Sequence, residues 1–212
     1  MSQLAVGREP HSGDHATMAY RSLPELIAKL DYFVSHGLAS GDLVLYICDD
    51  HAVGAVRAEL ARIGDACAGA LDSGQLQVMS SREAFFTNGS FNVESSLGTF
   101  ARTLRGAVAS GYRRIRAICE MTYLLAPIPV IERAGEFEAR ANAELFSVYP
   151  FLCVCPMNLQ RDVNGTWDGI LRSHPTLYDD GHLFPNPRYQ QTIPALSAGD
   201  ASSPRTSLTV AP

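Results

Sequence analysis

Residues 43–48 read Leu-Val-Leu-Tyr-Ile-Cys, an apolar run with no polar interruption. A strand with one wet face alternates apolar and polar side chains. An unbroken run needs apolar cover on both faces, which a parallel sheet between two helical layers supplies. Residues 150–155, Pro-Phe-Leu-Cys-Val-Cys, read the same way, and residues 114–119 become apolar after two arginines. Helical spacing separates these runs. Leu26, Ile27, Leu30, Phe33 and Val34 recur on one helix face, a second helix spans about 52–62, and a third about 93–109. A fourth, about 134–146, carries Phe137, Ala141 and Leu145 on one side. Ser22 suits an N-cap, with Pro24 and Glu25 in the first turn. Alternating strands and helices predict a three-layer α/β fold with a mostly parallel central sheet and helices on both faces.

The expected strands are residues 15–20, 43–48, 75–79, 114–119 and 150–155, with a short helix at 167–172 and a turn-rich finish at 175–189. Residues 1–12 read as a flexible arm, 13–189 as one domain and 190–212, rich in Ala, Ser, Thr and Pro, as a disordered tail.

A net charge of −5 argues against an extended phosphate-binding surface, so no direct nucleic-acid contact is expected. No apolar run reaches the roughly 20 residues that cross a bilayer, and the first residues lack a signal-peptide layout. The five cysteines sit mostly in strand-like runs, which fits reduced, buried thiols in a cytoplasmic protein.

The chemical motifs are sparse. Neither GxxxxGK[ST] nor GxGxxG follows a strand, and the first strand–helix junction, Tyr20-Arg21-Ser22-Leu23-Pro24, has no glycine for a phosphate approach. Cys153-x-Cys155 places two thiols on one strand face, but a structural zinc site calls for a second close pair, and the sequence has none. His11 and His15 are four apart outside any helix, a spacing without geometric force. No metal and no cofactor is expected. No Ser-His-Asp or Cys-His set can be assigned from spacing, so none is assigned.

Glu120 is the strongest candidate, because it falls where the chain leaves a central strand, the edge at which α/β folds bind ligands. Tyr20, Arg21, Asp49 and Tyr123 come from neighbouring strand ends and could converge on it. Equally, Glu120 could be satisfied by backbone donors or an arginine at the sheet edge. Glu138 and Asn142, four apart on one helix face, join that set or form a solvated face. The aromatic loop 85–91 could cover a pocket.

Taken in order, several short motifs resemble one family. They are Gly13-Asp14-His15, Phe33 through Gly41, Asp72 through Leu76, Gly89-Ser90-Phe91, Gly111-Tyr112 leading to Glu120-Met121, Phe137-Glu138 with Asn142, His174-Pro175 and Asn186 through Tyr189. The chain resembles the MEDS domain, the sensory domain of methanogen and methylotroph DcmR-type regulators. Cys119, Tyr123 and Phe137 depart from the residues common in that family. The resemblance implies a RecA/KaiC-like fold without its phosphate loop and a non-catalytic sensor of a small organic ligand. It adds His15 to the ligand-binding candidates. It implies a regulatory protein partner such as a kinase, an anti-sigma factor or a DNA-binding protein, and is compatible with a homodimer. Two other readings stand beside it: a nucleotide-binding relic or enzyme of the same fold group, and a pure protein-interaction module.

Overall fold

The computed structural model describes residues 7–87, 89–125, 129–162 and 166–190. The tail expected from residue 190 lies, beyond that residue, outside the described residues.

Five parallel strands form the body of the sheet: β1 (His15–Tyr20), β2 (Leu43–Cys48), β3 (Leu76–Ser80), and, after a two-residue hairpin pair β4 (Phe86–Thr87) and β5 (Ser90–Phe91), β6 (Ile115–Cys119) and β7 (Phe151–Asn158). A closing hairpin, β8 (Thr176–Asp179) and β9 (His182–Pro185), adds to the β1 edge. The order is β3-β2-β6-β7-β1-β8-β9, and only β8–β9 is antiparallel. On one face lie α1 (Leu23–Ala39), α2 (Val53–Ala61) and α3 (Asp65–Ser73). On the other lie α4 (Ser81–Phe85), α5 (Val93–Ala109), α6 (Pro129–Ala141) and α7 (Thr166–Ser173). β2 is buried along its whole length, as its unbroken apolar run requires.

Local chemistry sets the element ends. Ser22 caps α1 by accepting from Glu25 N–H, and Asn92 caps α5 by accepting from Ser95 N–H. Leu26, Leu30, Phe33 and Val34 of α1 are fully buried, each contributing about 1.5–3 kcal/mol of apolar burial.

Gly37 lies within α1, and its lack of a side chain leaves the space that a buried arginine occupies. A Cβ on Gly37 would lie 2.6 Å from Arg116 Cδ. Arg116 is 1% exposed, donates from Nε to Asp42 Oδ2 at 2.7 Å, and lies over the Phe33 ring. Asp42 Oδ2 also accepts from Arg114 Nε at 2.8 Å.

Several stretches differ from the sequence expectation, among them the fourth helix, expected at about 134–146, which is α6 (Pro129–Ala141) followed by a π-helical turn at Asn142–Phe146. α3 and the β8–β9 hairpin were not foreseen, and β7 runs on through Pro156 to Asn158. Cys153 N–H points towards β1, so the even-numbered positions of β7 face β6, whose pairing ends at Ile118. Pro156 donates no ladder bond on that side, but its carbonyl still accepts from Met121 N–H at 3.3 Å. At the front of the chain, where a loose arm is expected, Arg8 pairs with Leu183 of β9 through two backbone hydrogen bonds of 3.0 and 2.7 Å.

Candidate functional site

The predicted site residues separate into two groups. At the C-terminal edge of the sheet, Glu120 follows β6 with no exposure to solvent. Its Oε1 accepts from Tyr46 Oη at 2.8 Å and meets His51 Nδ1 at 3.0 Å. Its Oε2 accepts from the backbone N–H groups of Asp49 and Asp50, both at 2.8 Å, and of His51 at 3.3 Å. A carboxylate offers about four lone-pair directions, so these donors leave none for a ligand. Glu120 holds the turn after β2, and it owes its place to backbone donors, one of the two roles open to it in the sequence.

Around it, Asp49 accepts from Ser81 Oγ, and Asp50 accepts from Asn158 Nδ2 and, at 2.9 Å, from Arg161 Nε. The hydrogen bond His51 makes to Glu120 lifts the His51 pKa above its ordinary value, while burial raises those of Asp49, Tyr46 and Tyr20. Tyr20 Oη is buried without a hydrogen-bond partner. Arg21 does not converge on Glu120: it is exposed, and its backbone N–H donates to Glu25.

The second group lies on the α5–α6 face, against the middle of the sheet and not at its edge. Here His15 of β1, Glu138 of α6, Asn142 just beyond α6 and Tyr123 come together with residues that spacing did not select. A cavity of about 30 Å³ is walled by Phe85, Phe100, Tyr123, Phe137 and Phe151, with His15, Glu138, Cys119, Cys153 and Cys155 at its polar side. Phe85 stacks on both Phe100 and Tyr123, at 5.3 and 4.8 Å between centroids. The aromatic loop thus furnishes walls, with Phe91 packed tilted against Tyr123.

At the polar side, His15 Nδ1 meets Asn142 Oδ1 at 3.0 Å, and its ring stacks on Phe146. His15 Nε2 stands 3.4 Å from Cys155 Sγ and 3.4 Å from Glu138 Oε2. His174, directly after α7, gives its Nδ1 hydrogen to the Ile170 carbonyl at 2.7 Å. Its Nε2 lies 4.0 Å from Glu138 Oε2 and has no hydrogen-bond partner. Burial pushes the Glu138 carboxyl up to about 8 and the His174 imidazole down to about 4, and it lowers His15 as well. Glu138 and the two histidines therefore meet as neutral groups at neutral pH, and their proximity is not ion pairing. Burial likewise raises the Cys153 and Cys155 thiols. Cys153 Sγ lies 3.6 Å from the sulfurs of both Cys119 and Cys155, and all five cysteines are free.

A larger, open cleft of about 510 Å³ lies where β1 and β8 part after pairing only at Ala16–Thr176 and Thr17–Leu177. Met18, Trp167, Tyr178 and Leu177 line it, with Lys29, Asp168 and Arg188 among the charged residues beside them.

The strand order and its two helical layers define a three-layer α/β fold with a mostly parallel sheet. An uncharacterised protein of Pyrococcus horikoshii, solved in complex with an unknown peptide, superposes with a TM-score of 0.56 at 14% identity, over 78% of this chain and 76% of that one. A KaiC-like protein from the hyperthermophilic archaeon Pyrococcus horikoshii OT3 gives 0.53 at 10% identity, over 81% and 80%. At such identities the likeness is one of fold. No curated protein matches the chain. The sequence model of the MEDS family, the methanogen/methylotroph DcmR sensory domain, matches residues 14–175, and the chain belongs to that family. The family name carries a sensory role. Among the described residues, no helix is long and apolar enough to cross a membrane.

Proposed function

We propose that this chain is a non-catalytic, cytoplasmic sensory domain that binds a small, largely apolar molecule in the aromatic cavity and passes its occupancy to a regulatory protein partner. The observation that carries the reading is the cavity itself. It is lined largely by aromatic rings, its volume suits a molecule of very few heavy atoms, and polar groups stand at one side to orient it. The ligand site moves, in this reading, from Glu120 to Tyr123, Phe137, His15 and Glu138. The closed hydrogen bonding of Glu120 supports that shift.

The test is a thermal-shift screen with small alcohols, organic acids, halogenated one-carbon compounds and magnesium nucleotides, on wild type and Ala141→Val. Ala141 lines the cavity, and the added methyl groups fill it. A ligand at a hundred times its Kd adds about 2.7 kcal/mol, a rise of a few degrees for a domain of this size. The expected result is a rise with a small organic compound that is lost in Ala141→Val. A rise with nucleotides alone would favour the relic of a nucleotide-binding protein. No rise with any compound would favour a protein-interaction module, for which the β1–β8 cleft is the supporting observation.

A further inference from the structure

Cys155 Sγ and the ring nitrogens of His15 and His174 lie within 4.8 Å of one another, all buried, and Glu138 Oε2 adjoins both rings. The tautomers make this more than a crowd. His174 Nδ1 faces a carbonyl oxygen, which only accepts, so Nδ1 carries the hydrogen and Nε2 bears a lone pair. That lone pair is buried and unpartnered. With Asn142 Oδ1 as acceptor, His15 Nδ1 also carries its hydrogen, and its Nε2 lone pair turns to the same point. His15 Nε2 faces the Cys155 thiol and His174 Nε2 is bare, and a histidine with one ring nitrogen held by an oxygen acceptor and the other offering its lone pair is oriented as metal-binding histidines are.

We propose that His15 Nε2, His174 Nε2 and Cys155 Sγ bind one zinc-type divalent ion, with Glu138 placed to complete the set. Bond lengths of about 2.0–2.1 Å to nitrogen or oxygen and 2.3 Å to sulfur put tetrahedral ligand atoms about 3.3–3.6 Å apart. The separations from His15 Nε2 to Cys155 Sγ and to Glu138 Oε2, both 3.4 Å, already fall in that span. His174 Nε2, 4.0 Å from Glu138 Oε2 and within 4.8 Å of the other two ligand atoms, has to draw in towards them. Two nitrogens, a thiolate and a carboxylate suit zinc better than a hard cation such as magnesium. Binding replaces the Cys155 S–H bond by a metal–sulfur bond and, as Glu138 joins, its O–H bond by a metal–oxygen bond, and both protons go to solvent. The site sits at the polar side of the aromatic cavity, but it stands whether or not a small molecule enters there.

The full chain, stripped with chelator under reductant, is titrated with Co²⁺ and with Zn²⁺. The expected result is one ion per chain, visible-range bands of tetrahedral Co²⁺, and a near-ultraviolet thiolate-to-cobalt band that disappears in Cys155→Ala. Asn142→Ala keeps the bands and weakens affinity about 10- to 100-fold, because it removes only the orienting acceptor. Cys48→Ala, on the other face of the sheet, leaves affinity unchanged. A nitrogen-detected histidine spectrum of the wild type needs no variant: zinc should shift Nε2 of His15 and His174 and leave both Nδ1 atoms protonated. Absence of binding, binding unaltered by Cys155→Ala, or unmoved Nε2 signals would each overturn the site.

Discussion

Glu120 and Glu138 are both deeply buried, at 0% and 4% exposure, and they live in opposite circumstances. Glu120 has a tyrosine hydroxyl, three backbone N–H groups and an imidazole arranged around it. Glu138 has two uncharged imidazoles and aromatic walls, and burial lifts its carboxyl to about 8. Burial depth alone therefore says little about what a carboxylate does. The supply of donors decides: a carboxylate with donors on every side holds structure together, whereas one left short of them can still change partner or protonation state.

The largest expected effect follows from cutting the satisfied group. Glu120→Ala strands buried donors from Tyr46 and the 49–51 turn, and should cost about 3 kcal/mol or more in urea unfolding. A loss below about 1 kcal/mol would break the contrast. Glu138→Met, in metal-free protein, exchanges an under-supplied polar group for an apolar one of similar size. It should unfold within about 1 kcal/mol of wild type, or later. The smallest effect is on His51. Its imidazole should titrate above its ordinary 6.5 by proton resonance, and Glu120→Gln should bring it back down. Because the folded value is raised, the stability this contact gives is complete below pH 6.5 and fades as pH climbs through the folded value.

Much of the fold was legible in the sequence because its signals are local. The apolar run 43–48 is β2, and the periodic segment 93–109 is α5, residue for residue. The β8–β9 hairpin was hidden among prolines, and α3, alanine-rich with few large apolar side chains, gave a weak periodic signal. Of the candidate site, the four-residue spacing of Glu138 and Asn142 was readable, and both reach His15. The rest was not, because His15, Cys155 and His174 are brought together by strand order and by the start of a closing hairpin far along the chain. The faint signal was Cys153-x-Cys155, whose shared strand face aims at the histidines as well as along the thiols.

The packing of Arg116 on Gly37 has a consequence for inheritance. A side chain at position 37 would strike the arginine, the arginine without Asp42 would be a buried cation lacking its carboxylate, and Asp42 also serves Arg114. No member of this set can be exchanged alone at small cost. Positions 37, 42 and 116 should therefore drift through the family as a linked block, changing together or not at all, whatever molecule each relative senses.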